Sequence, residues 1–198
     1  MKLYLSPGAC SLAPHISLHE AGLHFDRIRV DLKAHRTEDD RDFYAINPKG
    51  YVPVLEFDDG DRLTENVAIL AWIADKVPAL QPDGSMARYR LLEMLGFITA
   101  ELHKQFKPFF SDAPEEQKAK AREVLGKRFA WIAGQLKGDF LYGPRFSVAD
   151  AYLFVMLTWA KKNGLPLPDP LGAYYDRVAN RPAVKLALEH ENPSAKAA

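Results

Sequence analysis

The stretch VPVLEFDDGDRLTENVAILAWIADKV, residues 52–77, decides the fold of this chain. Its apolar run 52–57 predicts a strand, the turn residues 58–61 with an Asp-Gly pair at the tip predict a tight hairpin, and 62–64 predicts the returning strand. An apolar helix is expected to follow over 66–77. A hairpin that leads into a helix indicates a domain that contains both sheet and helix.

The residues before this stretch extend the same domain. Residues 2–5 predict a buried strand, 11–21 a helix, and 26–32 a strand with alternating apolar and polar side chains. The polar segment 35–47 is expected to hold a helical turn or two. The resulting order is β-α-β-(α)-β-β-α, and the helix between the first two strands favours parallel pairing because a crossover connection is needed for it.

Beyond the hairpin and its helix the pattern becomes almost entirely helical. We predict an α/β domain over 1–78, a linker rich in Pro and Gly over 79–86, and an all-α helical bundle over 87–198. Apolar stripes predict a long helix that starts near Met86 and ends or kinks at Pro108, and later helices around 125–136, 146–162 and 168–182.

The helix predicted over 146–162 is apolar nearly all round, which indicates the middle of a bundle. Ser147 is expected at its N-cap, with Asp150 three residues further on and Phe146 just before it. These residues match the capping box and its accompanying apolar contact. We interpret Ser147 and Asp150 as folding residues.

Composition limits the classes of partner. Lys plus Arg number 26 and Asp plus Glu number 26, so the formal net charge is zero, which argues against nucleic acid or an anionic membrane as the main partner. No signal peptide and no membrane-spanning run of about 18 apolar residues is expected. The single cysteine cannot form an internal disulfide, and we expect a cytoplasmic location.

That cysteine, Cys10, lies between the first predicted strand and the first predicted helix. A helix N-terminus offers unbonded N–H groups and partial positive charge, which would stabilise a thiolate. The alternative is a small buried apolar residue, and the spacing leaves both open. Ala13 stands three residues on, so redox chemistry here would need a thiol from a small molecule.

Two further places could bind a peptide-like ligand. Pro53 opens a strand, so the backbone of Val52 is free to pair with a ligand as an added strand would, or the proline simply lies on an edge strand. Glu65 adjoins Asn66, the expected N-cap of the helix, and could accept hydrogen bonds from a ligand ammonium. The alternative is a capped helix beside a solvated acid.

His103 lies on a predicted helix face made mostly of small residues, which suits the wall of a cleft. Its members are Gly96, Thr99, Ala100, His103 and Lys107. A structural or surface histidine is the alternative.

Four segments together resemble the glutathione transferases, and specifically the bacterial beta class. They are KLYLSPGACSLAPHI, INPKGYVPVLEFDDGDRLTENVAIL, ELHKQFKP and FSVADAYLF, in the order and spacing of that family. The resemblance implies a thioredoxin-like N-terminal domain followed by an all-helical domain. It also implies a homodimer with glutathione as co-substrate and a small hydrophobic electrophile as the second partner, and no metal site, nucleic acid or membrane is expected.

The resemblance also implies roles for individual residues. Cys10 would contact the sulfur of glutathione and could form a mixed disulfide, the bond before Pro53 would be cis, and Val52 would pair with the cysteinyl part. The expected catalytic residues are Cys10 and His103, and the expected glutathione-binding residues are Ala9, Ser11, His35, Tyr51, Val52, Pro53, Glu65, Asn66 and Lys104.

Three positions depart from the family pattern. Asn66 stands where Ser is usual, His35 where a Lys often reaches the glycine carboxylate, and Gly96 where an Asn often lies. Neutral His is a weaker partner for an anion, and Gly96 removes a polar contact and widens the pocket.

The function expected is therefore a transferase that activates the thiolate of glutathione for attack on an electrophile, with Cys-dependent thiol transfer as a further activity. Two alternatives stay open: a non-catalytic glutathione-binding scaffold of the same fold, and a specialised glutathione-dependent dehalogenase or isomerase. The stretch 104–112 is expected to supply part of the electrophile surface.

Overall fold

The computed structural model describes residues 1–192, so the last six residues of the predicted second domain, 193–198, lie outside the described part. The strands are β1 (Lys2–Leu5), β2 (Asp26–Asp31), β3 (Arg36–Thr37), β4 (Val54–Glu56) and β5 (Arg62–Thr64). The helices are α1 (Leu12–Glu20), α2 (Asn66–Lys76), α3 (Ala87–Phe97), α4 (Glu115–Gln135), α5 (Val148–Lys162), α6 (Asp169–Ala179) and α7 (Pro182–Glu191).

Within the described residues the strands form one five-stranded sheet in the order β3-β2-β1-β4-β5. β1 pairs with β2 in parallel and with β4 antiparallel, and β4 and β5 form the antiparallel hairpin. Both pairings predicted from the sequence are thus confirmed. The centre of the sheet, Leu3 to Leu5 of β1, is buried: Leu3 and Leu5 pack in the core with the helices, and Tyr4 packs in a smaller cluster with Phe43 and Val54.

The second domain is built around α5. Its residues are buried on all sides apart from the last turn, in line with its apolar sequence. Ser147 and Asp150 form the predicted capping box, and α1 of the first domain packs directly against α5. The expected fold class, a thioredoxin-like domain followed by an all-helical one, is confirmed.

The long helix predicted from Met86 to Pro108 is broken. α3 ends at Phe97, a π-helical turn follows over Ile98–Leu102, and a 3₁₀ stretch covers His103–Phe110. Pro108 lacks an N–H and its ring clashes with the preceding turn, so a regular α-helix cannot pass through it. A π turn inserts an extra residue and rotates the side chains that follow.

Two other elements differ from the prediction. The helix predicted over 168–182 is present as α6, which ends at Ala179, and a further helix that the sequence analysis did not predict, α7, begins at Pro182. The polar segment 35–47 contains the short strand β3 as well as one 3₁₀ turn. The predicted linker, 79–86, lies between α2 and α3, and the domain boundaries stay a prediction.

Candidate functional site

A cavity of about 730 Å³ opens between the two domains. Its volume is in the range of typical small-molecule sites, roughly 300–1,000 Å³. Residues of the first domain and of the second face each other across it. The lining consists of Cys10, Tyr51, Val52, Pro53, Glu65, Asn66, Val67, Thr99, His103, Lys104, Lys107, Phe110, Ser111 and Tyr152.

Cys10 lies two residues before the first residue of α1 and is partly buried. Its thiol donates a long hydrogen bond to the carbonyl oxygen of Val52, with 3.6 Å between sulfur and oxygen. The side chain of Asn66 donates to the carbonyl oxygen of Cys10 over 3.1 Å. The cysteine is therefore held in place from both the strand side and the α2 side.

The expected stabilised thiolate is not what this environment favours. Burial raises the pKa of the Cys10 thiol to about 12, and the hydrogen bond from Asn66 offsets this only in part. The helix N-terminus is present as predicted, but desolvation of the anion outweighs it. Cys10 is thus a neutral thiol and a hydrogen-bond donor at neutral pH.

The peptide bond between Val52 and Pro53 is cis. The side chain of Asn47 donates to the carbonyl oxygen of Tyr51 over 2.7 Å and fixes the approach to this bend. Val52 and Pro53 both line the cavity next to Cys10. The backbone on which the expected strand-like pairing depends therefore lies at the cavity wall.

Glu65 adopts the left-handed backbone region, with φ 71° and ψ 126°, which is costly for a residue other than glycine. Its carboxylate accepts hydrogen bonds from Lys49 Nζ at 2.6 Å and from the Tyr51 hydroxyl at 2.9 Å. The ammonium of Lys49 holds the pKa of Glu65 below its ordinary value, so the acid is ionised at neutral pH. A negative charge is thereby fixed at one end of the cavity.

The prediction that Asn66 caps α2 is wrong. The helix begins at Asn66 itself, Glu65 occupies the cap position, and the Asn66 amide instead binds the backbone of Cys10. The amide oxygen of Asn66 is buried and has no hydrogen-bond partner within residues 1–192. An unpaired buried acceptor that lines a cavity is ready to receive a ligand N–H group.

His103 enters the cavity from the second domain. Its Nδ1 lies 2.7 Å from the hydroxyl of Tyr152, which also accepts a hydrogen bond from Thr99 at 3.4 Å. Burial raises the pKa of Tyr152, so we assign the shared proton to the tyrosine. His103 then carries its own proton on Nε2.

Burial, and then the charge of Lys104, lower the pKa of His103 below its ordinary value. The ring is therefore neutral at physiological pH and can act as a donor through Nε2–H. The edge of the Trp159 indole lies against the ring, with centroids 5.1 Å apart, and restricts its orientation.

Several predicted site residues lie elsewhere. Ser11 is fully buried and its hydroxyl pairs with the backbone of Ser6. His35 stacks on Tyr44 and binds its hydroxyl over 3.1 Å. Neither residue lines the cavity, and Ala9 does not line it either. Because Ala9, Ser11 and His35 do not line the cavity, the structure gives no support to their predicted roles in ligand binding.

The predicted face of small residues also needs correction. Gly96 and Ala100 are exposed and do not line the cavity, because the π turn rotates the chain between them and His103. Thr99 and Lys107 of that face do line it. Tyr152 was missed, since a tyrosine inside an apolar helix carries no sequence signal that separates it from the core.

Fold and cavity together define a two-domain protein of the thioredoxin-like class with a ligand cleft between its domains. The family model described as glutathione S-transferase, N-terminal domain, matches residues 8–76, and the one for the C-terminal domain matches residues 115–180. The chain belongs to the glutathione S-transferase family.

The relatives support this assignment along nearly the whole chain. Glutathione S-transferase GstA of Escherichia coli O157:H7 is 46% identical over 96% of this chain and 98% of its own length. A sphingomonad glutathione S-transferase, solved in complex with glutathione, is 48% identical with a TM-score of 0.92, covering 98% of this chain and 100% of that one.

A bacterial beta class glutathione S-transferase from Sphingomonas chungbukensis is 45% identical with a TM-score of 0.88, covering 97% of this chain and 99% of that one. The expected resemblance to the beta class is confirmed. Within residues 1–192, the helices are all too short or too polar to cross a membrane.

Proposed function

We propose that this chain binds reduced glutathione in the interdomain cavity and directs its thiolate at a small hydrophobic electrophile. One observation carries the proposal: Cys10, Val52 and Glu65 of the first domain share a single cavity with His103 of the second. The sphingomonad relative, which is solved with glutathione bound, has the same fold over 98% of this chain.

The groups along the cavity match the parts of glutathione in order. The ionised Glu65 and the unpaired amide oxygen of Asn66 suit the α-ammonium and the amide of the γ-glutamyl part. The backbone of Val52 suits the cysteinyl part, in the way an added strand pairs. Lys104 lies on the opposite wall and offers a cation for a carboxylate.

Activation of the glutathione thiol depends on two neutral hydrogen-bond donors of the protein, the Cys10 thiol and His103. When a ligand N–H takes the Val52 carbonyl, the Cys10 thiol is released to donate to the ligand sulfur. Nε2–H of His103 supplies a second donor. Hydrogen bonds to the thiolate lower its pKa, and each unit corresponds to about 1.4 kcal/mol in favour of the anion.

The thiol proton passes to solvent as the thiolate forms. The sulfur lone pair then forms a bond to the electrophilic carbon, and the leaving group departs with the electron pair of its own bond. Phe110 and Lys107 lie on the second-domain wall and would contact the electrophile.

Thiol transfer is a second activity, and the presence of Cys10 at the cavity wall supports it. The Cys10 thiolate would attack a glutathionyl mixed disulfide, form a new disulfide with glutathione and release the other thiolate. A second glutathione thiolate would then release Cys10 and form oxidised glutathione. The raised pKa of Cys10 makes the first step slow.

Calorimetric titration with reduced glutathione, combined with turnover of 1-chloro-2,4-dinitrobenzene, tests the main proposal. Binding together with glutathione-dependent chloride release supports it. Binding without turnover of this or related aryl and alkyl halides favours the scaffold alternative, and no binding at millimolar glutathione contradicts the proposal.

We propose a homodimer and a reducing, cytoplasmic location as well. Met86 and Tyr89, at the start of α3, are exposed apolar side chains that suit a subunit contact. Sedimentation equilibrium of the parent and of a Tyr89→Glu variant checks the assembly. A monomeric parent at micromolar concentration contradicts it.

A further inference from the structure

Three histidines meet away from the glutathione cavity, where α1 packs on α7. His15 and His19 are four residues apart on α1 and share one face of the helix, and His190 faces them from the end of α7. One ring nitrogen from each of the three lies within 4.8 Å of one from each of the others. Within residues 1–192, it is the one group of three or more histidine, cysteine, aspartate or glutamate residues whose potential ligand atoms lie this close together.

Three ring nitrogens of this cluster, one from each histidine, lack a hydrogen-bond partner within residues 1–192. His15 is fully buried; its Nδ1 lies 2.9 Å from a carboxylate oxygen of Glu191, while its Nε2 has no hydrogen bond within residues 1–192. Nε2 of His19 and Nδ1 of His190 are likewise buried and unpaired in the described chain. Buried polar atoms are normally paired, so three unpaired nitrogens in one place indicate a ligand.

The three rings pack against one another. His15 and His190 are nearly parallel, with centroids 5.8 Å apart, and His19 lies 5.1 Å from His15. The rings of Phe25 and His15 meet in a T-shaped contact, with centroids 5.8 Å apart. The three histidines therefore form one compact cluster of imidazole rings.

We propose that His15, His19 and His190 form a site for one divalent transition-metal ion of the zinc class. Neutral imidazole is a preferred ligand of Zn²⁺, and two histidines one helical turn apart are a familiar way to chelate it. Glu191 supplies the carboxylate that orients a metal-bound imidazole through its second nitrogen. A water molecule would complete the tetrahedron.

The distances need only a small adjustment. A tetrahedral zinc ion with Zn–N bonds of about 2.0–2.1 Å separates its ligands by roughly 3.3 Å. His19 and His190 are only partly buried, so their side chains are the ones expected to rotate towards a bound ion. The nearby positive charge of Arg27 opposes binding, and the negative charge of Glu191 offsets it.

Metal binding would join the two domains at a point connected to the glutathione site. The second carboxylate oxygen of Glu191 accepts a hydrogen bond from the backbone N–H of Gly8 over 2.9 Å. Gly8 lies two residues before Cys10. An ion that fixes His15 therefore also restrains the loop that carries the cysteine.

The test uses the full chain without a histidine tag, in a Cys10→Ala background and without glutathione, so that no thiol can bind metal. Zinc content is measured after equilibrium dialysis against micromolar Zn²⁺ in the parent and in His19→Asn and His190→Gln. The matched control is His24→Asn, an exposed histidine outside the cluster. Circular dichroism verifies that each variant is folded.

We expect one tightly held zinc per chain in the parent and in His24→Asn, and at least a tenfold weaker affinity in both cluster variants. Zinc should raise the melting temperature of the parent by several degrees, since a ligand that binds only the folded state stabilises it. Equal zinc content in all four proteins, or no zinc in the parent, would overturn the proposal. These measurements do not involve glutathione, so they are independent of the proposed transferase activity.

Discussion

The Cys10 thiol donates its hydrogen bond to the carbonyl oxygen of Val52, the residue that precedes the cis proline. In the free protein, the Cys10 thiol is thus hydrogen-bonded to the backbone carbonyl group that we expect to bind the cysteinyl part of glutathione. A ligand N–H that took this oxygen would therefore release the thiol. The neutral cysteine can then serve as a donor without first becoming a nucleophile.

Replacement of Cys10 should separate the two proposed activities. In Cys10→Ala, conjugation should persist within about tenfold, because glutathione supplies the nucleophile and one donor of about 1 kcal/mol is lost. Thiol transfer from a glutathionyl mixed disulfide should fall to background. Cys10→Ser, which keeps a donor, is the matched control for conjugation. Undiminished thiol transfer in Cys10→Ala would rule out the covalent step.

Alkylation of Cys10 should be slow and strongly pH-dependent. The raised pKa, about 12, leaves few thiolates at neutral pH. The higher intrinsic reactivity of a basic thiolate offsets part of this, so reaction with iodoacetamide should be roughly 30- to 60-fold slower than for a free cysteine. The rate should rise with pH up to the limit of folding. Rapid alkylation with a midpoint below pH 9 is the contrary result.

His103 should titrate below its ordinary pKa, and Tyr152 should contribute to that. The hydroxyl of Tyr152 donates to Nδ1 of the neutral ring, so Tyr152→Phe should raise the pKa of His103 part of the way towards 6.5. NMR titration of the His103 ring measures this pKa. An unchanged pKa in Tyr152→Phe would show that the tyrosine does not hold this proton.

His103→Asn should reduce kcat/KM for conjugation by roughly 10²-fold, as loss of a charge-stabilising donor does.

Glu65→Gln should weaken glutathione binding by roughly tenfold, about 1.4 kcal/mol, because the ligand ammonium loses its charged partner. Lys49 lowers the pKa of Glu65 from its ordinary value of 4.5, so the acid is largely ionised at that pH and above, and binding to the parent should be lost only as pH falls through the lowered pKa. Calorimetry from pH 3 to 7 measures both effects. Glu93→Gln, an exposed carboxylate on α3, is the control and should bind normally.

The capping box should be important for stability and not for chemistry. Asp150 is fully buried and accepts hydrogen bonds from Leu141 N–H, Ser147 and the Tyr174 hydroxyl. Asp150→Ala leaves these donors unpaired and should cost about 3 kcal/mol or more, whereas Ser147→Ala should cost about 1 kcal/mol. Urea denaturation measures the free energy of unfolding, with the exposed Ser85→Ala as control. Equal stability of Asp150→Ala and Ser85→Ala would contradict this role.

Much of the fold was accessible from the sequence because local signals agree with the tertiary structure. The hairpin over 58–61 and the capping box at Ser147 are specified by nearby residues, and both are confirmed. The helix break at Phe97 was not predictable in the same way. The apolar stripe continues across it, so the side-chain pattern does not mark the π turn over Ile98–Leu102.

The site was predictable where backbone position determines it and not where long-range packing does. Cys10, Val52 and Glu65 lie at the ends of strands and helices, so their meeting follows from the order of the elements. The protonation of Cys10 depends on how completely neighbours exclude water, which no local pattern encodes. Glu191 contacts His15 of α1 and Gly8 across sequence separations of 176 and 183 residues, and no local sequence pattern predicts either contact.

That separation has a consequence for biosynthesis. Gly8 emerges from the ribosome well before α7 and its Glu191, which are translated after all the other described helices. The loop beside the thiol therefore lacks this restraint until α7 has been made, and long-range contacts of this kind are slow to form. A nascent chain that stalls before α7 would expose this cysteine on an unsupported loop, open to oxidation or to capture by other thiols.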